Sequence, residues 1–86
     1  MAWVYILQTK NGQYYIGSTT DLERRIRQHM HGHTRTTNRL QLSAVALKQE
    51  YKTIEDARNV ERKIKKMKRK DYIEKMIKDG YIKVAP

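Results

Sequence analysis

Arg25 and His29 stand four residues apart, which sets them on one face of a helix, at the edge of an apolar stripe of Leu22, Ile26 and Met30. A guanidinium and an imidazole in that position can point across a sheet rather than into bulk water. They then form either a grip for a phosphate or one side of a solvated basic face. Arg24 and Arg27 fall elsewhere on the helix and read as solvated. Glu61 lies four residues after Ala57 and three before Ile64, so it shares the apolar side of a helix rich in Arg and Lys. A carboxylate held there needs a cation, either a metal ion or a basic side chain such as Arg25 or Lys65. Tyr5 and Tyr15 belong either to the same site or to an ordinary strand surface. His29, His31 and His33 alternate as zinc ligands could, but at the end of a basic helix, beside Gly32, a dipole-favoured helix C-terminus running into a loop is the better reading.

The elements that must position these groups are legible in the pattern. Trp3 to Gln8 (WVYILQ) and Tyr14 to Ser18 (YYIGS) read as strands, and the Asn11-Gly12 between them is a strong hairpin signal. Thr20-Asp21-Leu22-Glu23 has the form of a capping box, with Thr20 as N-cap of a helix from about Asp21 to Met30. The polar stretch from His31 reads as a loop. A third strand is expected between Leu40 and Tyr51, on Val45, Leu47 and Tyr51. Thr53, with Asp56 three residues on, caps a second helix whose stripe is Ala57, Val60, Ile64 and Met67. Tyr72, Ile73, Met76 and Ile77 mark a third helix from about Lys70, ended by Gly80 at C′. Tyr81 to Val84 reads as a short closing strand or a packed tail. The expected fold is α+β, a small three-stranded antiparallel sheet flanked by helices in the order ββαβαα.

The hairpin register carries a chemical consequence. A two-residue Asn11-Gly12 turn pairs Tyr5 with Ser18 and sends Tyr5 and Tyr15 to opposite faces. A three-residue loop, Lys10-Asn11-Gly12 with Gly12 left-handed, pairs Tyr5 with Gly17 and Leu7 with Tyr15, and puts both tyrosines on one face. Asn-Gly suits both turns, and the local sequence does not choose.

Composition bounds the rest. Eighty-six residues are too few to bury two cores, so residues 1–86 are expected to form one domain. The chain has no cysteine, which excludes disulfides, a thiol nucleophile and cysteine-ligated zinc. No run resembles a signal peptide or a membrane span, and a cytoplasmic protein is expected. Nineteen Lys and Arg against nine acids give a formal charge of +10, which favours a polyanionic partner, nucleic acid above all. An anionic membrane is disfavoured, because no helix combines a large apolar face with flanking Trp or Phe. The run RKIKKMKRK, with Arg62, Lys65, Lys66, Arg69 and Lys70, is suited to following a phosphate backbone without reading sequence.

Taken in order, these residues resemble the GIY-YIG nuclease superfamily. Val4-Tyr5 stands at the end of its first motif, and Tyr15-Ile16-Gly17 is its second motif intact. Arg25 comes eight residues after Gly17, His29 four later, and ARNVERKIK (Ala57 to Lys65) is similar to the helix that carries the family's metal-binding glutamate, here Glu61. The likeness extends over nearly the whole chain and is greatest to small stand-alone members related to the nuclease domain of the UvrC excision protein. Trp3-Val4 replaces the Gly-Ile of the first motif. The Asn that follows the glutamate in excision-type members has no counterpart, the region being occupied by Arg69 and Lys70.

The resemblance implies a DNA endonuclease that uses one Mg²⁺ or Mn²⁺, in a setting of DNA repair or recombination. Glu61 would be the metal ligand, Arg25 a clamp on a non-bridging phosphate oxygen, and Tyr5 the general base, with Tyr15 or His29 orienting the water and Gly17 leaving open space beside Tyr5. An unperturbed tyrosine has a pKa of about 10, so such a site would have to lower that of Tyr5, through Arg25 and the ion. The alternative from another class is a non-catalytic nucleic-acid-binding module that keeps the fold. DNA or RNA is the expected partner in either case, with a recruiting protein or a second copy of the chain as further partners.

Overall fold

The computed structural model describes residues 1–9, 12–30, 42–67 and 69–86. Its first element is a hairpin of β1 (Ala2–Thr9) and β2 (Tyr14–Thr19), and the register is that of the three-residue loop. Thr9 N–H donates to Gln13 O at 2.8 Å and Gly12 N–H to Thr9 O at 3.1 Å, while Gly12 has φ 78°, a conformation glycine adopts without a Cβ penalty. Tyr5 therefore pairs with Gly17 and Leu7 with Tyr15. The Thr9 hydroxyl also accepts the Gln13 N–H at 3.0 Å, which locks the base of the loop.

Strand β3 (Leu42–Tyr51) adds antiparallel to the other side of β1, giving the order β2-β1-β3. The partner of Ile6 is Leu47, but that of Leu7 is Val45. Ala46 is thus an extra residue that bends β3 and brings Val45 opposite Leu7. With the helices α1 (Leu22–Met30), α2 (Ile54–Met67) and α3 (Lys70–Asp79) the order is ββαβαα, as the sequence pattern indicates.

The two faces of the sheet have different contents. Ala2, Val4, Ile6, Ile16 and Leu47 on one face meet Ala57, Val60 and Ile64 of α2, Ile73 and Met76 of α3, and Ile82, in one buried apolar cluster. Each fully buried aliphatic side chain there is worth about 1.5–3 kcal/mol relative to exposure. Met67, expected to extend the α2 stripe, is 38% exposed instead. It lies at the last position of the helix, beyond the width of the sheet. The opposite face carries Trp3, Tyr5 and Leu7, and α1 lies over it. Its Arg25 side chain reaches Tyr5, and Ile26 faces Val45, Ala46, Leu47 and Lys48 across a cavity of about 410 Å³.

Helix ends follow the capping rules with one correction. Asp21, not Thr20, caps α1. The Thr19 hydroxyl accepts the Asp21 N–H at 3.1 Å, and Asp21 Oδ1 then accepts the Arg24 N–H at 3.2 Å. Thr53 caps α2 through Asp56 N–H at 3.1 Å, and Gly80, at φ 82°, closes α3 by donating to Met76 and Ile77 carbonyls. The segment after Gly80 is a packed tail rather than a strand. The Gln49 carboxamide accepts the Ile82 N–H at 2.7 Å and donates to the Ile82 carbonyl at 3.3 Å. One side chain thereby supplies both bonds that a neighbouring strand would give.

Candidate functional site

Tyr5 is fully buried although it lies outside the main apolar cluster. Its ring lies across β2 in the space that a side chain at position 17 would fill. A Cβ on Gly17 would fall 2.6 Å from the Tyr5 ring carbon Cζ and closer still to its hydroxyl oxygen. Glycine is required here by close approach and not by backbone angle. From the helix above, Arg25 donates Nε–H to the Tyr5 hydroxyl at 3.4 Å. Arg25 is half-buried while Arg24 and Arg27 are exposed, so the helical spacing separates the inward arginine from the solvated ones.

Glu61 approaches from the other side of the sheet, at the β2 edge. One carboxylate oxygen accepts a short hydrogen bond from the Ser18 hydroxyl, and the other accepts the Lys65 ammonium at 2.6 Å. The cation that the position of Glu61 demands is thus Lys65 and not Arg25, which is engaged on the opposite face. The Glu61 side chain is 20% exposed and that of Lys65 53%, so the lysine forms the open side of the pair. Ser18, Arg58, Glu61, Arg62 and Lys65 line an open cavity of about 410 Å³.

Burial raises the Tyr5 pKa above its ordinary value; Arg25 opposes that rise by hydrogen bond and charge, while Tyr15 and Glu61 add to it. The Arg25 guanidinium is held more firmly protonated by its bond to Tyr5 and by the charges of Tyr5, Tyr15 and Glu61. The Tyr5 pKa is thus raised, where a general base would need it lowered, because desolvation outweighs the single guanidinium.

The basic run divides. Arg62 and Lys65 face the Glu61 cavity, joined by Arg58 one turn earlier. Lys66 is exposed. Arg69 is tied to Asp71, Nη2 to Oδ2 at 2.9 Å and Nε to Oδ1 at 3.4 Å, because the capping position of α3 puts it beside that helix's first acidic residue. Lys70 Nζ lies by the hairpin loop, 3.7 Å from where a Gly12 Cβ would be. His29 is in the α1 backbone, but its side chain, and all of His31 and His33, lie outside the described residues. Ser18 and Arg58 are contributions that the sequence reading missed. Ser18 could have been found by alternation, two residues after buried Ile16, and Arg58 by its four-residue step to Arg62.

Residues 1–76 match the GIY-YIG catalytic domain. The chain belongs to that family. Tyr5, Tyr15, Arg25 and Glu61 all lie within the matched residues. The chain is 35% identical to a UPF0213 protein of Streptococcus pneumoniae over 69 residues, covering 79% of this chain and 70% of that protein. It is 53% identical to UPF0213 protein BH0048 of Halalkalibacterium halodurans over 30 residues, 35% of this chain and 32% of that one. The solution structure of UPF0213 protein BH0048 from Bacillus halodurans superposes with a TM-score of 0.58 at 30% identity, covering 93% of this chain and 87% of that chain. Membership places the protein in the GIY-YIG nuclease superfamily, whose members act on DNA.

The donor set at Glu61 can be tested against a divalent ion. Among the described residues no three His, Cys, Asp or Glu side chains cluster to hold one. A single carboxylate beside a hydroxyl, at the mouth of an open cavity, does fit Mg²⁺ or Mn²⁺, which commonly take one or two carboxylates and keep water and phosphate oxygens for the remaining positions.

Proposed function

We propose that the protein is a divalent-metal-dependent endonuclease that hydrolyses DNA phosphodiester bonds. What carries this reading is the match of residues 1–76 to the GIY-YIG catalytic domain, together with Arg25 donating to a Tyr5 hydroxyl that lies over Gly17 and Glu61 bonded to Ser18 of the same strand, β2.

Glu61 would hold one Mg²⁺ or Mn²⁺ through a carboxylate oxygen. The bound ion would supply Lewis-acid polarisation of the phosphate and charge stabilisation at the leaving oxygen. Arg25, which gives Nε to Tyr5, would offer its terminal nitrogens to a non-bridging phosphate oxygen. Tyr5, fixed by Arg25 and by its close approach to Gly17, first gives up its own proton to solvent and then, as the phenolate, takes the proton of the attacking water, with Tyr15 or His29 orienting that water. Arg58, Arg62 and Lys65 attract the flanking backbone, so binding weakens steeply with added salt. Because burial raises the Tyr5 pKa, removing its proton becomes easier as pH rises, and cleavage is expected to climb steadily between pH 7 and pH 9.

A second reading is favoured by one observation. Both Glu61 oxygens accept a hydrogen bond within the chain, from Ser18 and Lys65, as they would in a non-catalytic nucleic-acid-binding module. A cleavage assay on labelled single-stranded, duplex and branched DNA, in Mg²⁺, Mn²⁺ or EDTA, separates the two. The nuclease reading expects cutting that EDTA abolishes and that Glu61→Gln removes while DNA binding is kept. Salt-sensitive binding without cutting on any substrate supports the binding module.

A further inference from the structure

Lys65 is not a spectator beside Glu61. Its ammonium holds the one carboxylate oxygen that Ser18 leaves, at 2.6 Å, and it does so from the solvent side, with a side chain 53% exposed. An ion approaching Glu61 competes for oxygens engaged by a hydroxyl packed at the sheet edge and by this exposed lysine, and the lysine is the easier to move. The cavity sets three cationic side chains, Arg58, Arg62 and Lys65, against one carboxylate. A divalent cation meets net repulsion there until a polyanion enters. A phosphate entering the same cavity removes that repulsion and offers the Lys65 ammonium replacement oxygens.

We infer that Lys65 is an exchange residue: it occupies Glu61 in the free protein and transfers to a backbone phosphate when nucleic acid binds, so that the divalent ion loads onto Glu61 only together with its substrate. This rests on the reading of Glu61 as the ion ligand. The arrangement keeps the hydrolytic centre unloaded away from nucleic acid. It also requires reciprocity: nucleic acid tightens ion binding by the same factor by which the ion tightens nucleic-acid binding.

The test is Mn²⁺ binding to the full chain, followed by the electron paramagnetic resonance of free Mn²⁺, with and without a 20-base-pair duplex. Glu61→Gln samples are subtracted to leave the Glu61-dependent part. Wild type should bind Mn²⁺ weakly alone and about tenfold or more tighter with duplex, within the usual span of coupling between sites. Lys65→Met should bind Mn²⁺ tightly without duplex and lose most of the coupling, whereas Lys65→Arg should keep it. Arg62→Met removes an equal charge from the same cavity without freeing a Glu61 oxygen, and should change Mn²⁺ affinity much less than Lys65→Met. Equal Mn²⁺ affinity in wild type and Lys65→Met overturns the exchange alone, as does an equal gain in Arg62→Met, which would make the effect one of general charge. Absence of Glu61-dependent Mn²⁺ binding in every sample, with duplex present, overturns both the exchange and the ion-ligand reading beneath it.

Discussion

The two faces of the β1–β2 hairpin are built from the same alternating strands and do different work. Toward α2 and α3, Val4, Ile6 and Ile16 meet Val60, Ile64 and Met76, all aliphatic and dry. Toward α1, Tyr5 lies buried over a glycine with an arginine bonded to its hydroxyl. A one-residue change of register would exchange the two sets. The difference teaches that a chain this small puts its stability on one side of a sheet and a charged, partly desolvated site on the other. Glu61 reaches that site from the stable side, past the strand edge.

Substitutions on the two faces should therefore separate stability from activity. Ile64→Ala, on the dry face, should cost about 3 kcal/mol of unfolding free energy, as large-to-small core changes do, a large share of the roughly 5–15 kcal/mol typical of a domain. Cleavage per folded molecule should persist. Chemical denaturation beside an activity assay checks both. Gly17→Ala, on the other face, should cost about 1–3 kcal/mol by overpacking and, unlike Ile64→Ala, should also lower the turnover of the folded molecule. Its methyl collides with the Tyr5 ring and displaces the hydroxyl, so turnover should fall about 100-fold, the scale of a 1 Å misplacement. Unchanged turnover in Gly17→Ala would break the comparison. Thr53→Ala removes the α2 cap and should cost about 1 kcal/mol without affecting turnover in the folded fraction.

The smallest effect is at alkaline pH. Below about pH 10 the folded and unfolded chains both keep the Tyr5 proton. Above it the unfolded chain loses the proton first, because the folded value is raised. Stability should fall as pH rises from about 10 through that folded value. Tyr5→Phe should lessen the fall but not remove it, since Tyr14 and Tyr51 are raised by burial as well.

Most of the fold was legible because its signals are local: alternation in the strands, helical stripes, Thr53 as a cap, Gly80 as a stop. What was not legible depends on partners distant in sequence. Asn-Gly allowed two hairpin registers. The structure has the one in which the Tyr5 ring finds Gly17 and Thr9 bonds twice to Gln13. The α1 cap moved by one residue because the Thr19 hydroxyl takes the Asp21 N–H and turns the chain there. The candidate site was legible as residue types at spacings, with Arg25 inward and Arg24 and Arg27 outward. Its internal wiring was not. Glu61 could have met Arg25 or Lys65, and only the side of the sheet on which each helix packs decides for Lys65. Position in the basic run likewise did not distinguish Arg62, which faces the cavity, from Arg69, which Asp71 engages.

The central claim is that the α1-facing side of the hairpin performs hydrolysis with Tyr5 at its centre. Its most direct test is single-turnover cleavage of labelled DNA in Mn²⁺ by wild type and Tyr5→Phe, with the unfolding free energy of both measured on the same preparations. The account predicts a loss of about 10²–10⁴ in rate, the usual worth of a positioned proton acceptor, with stability changed by no more than about 1.5 kcal/mol, the net worth of one buried hydrogen bond. A Tyr5→Phe protein that cuts DNA at the wild-type rate would contradict it.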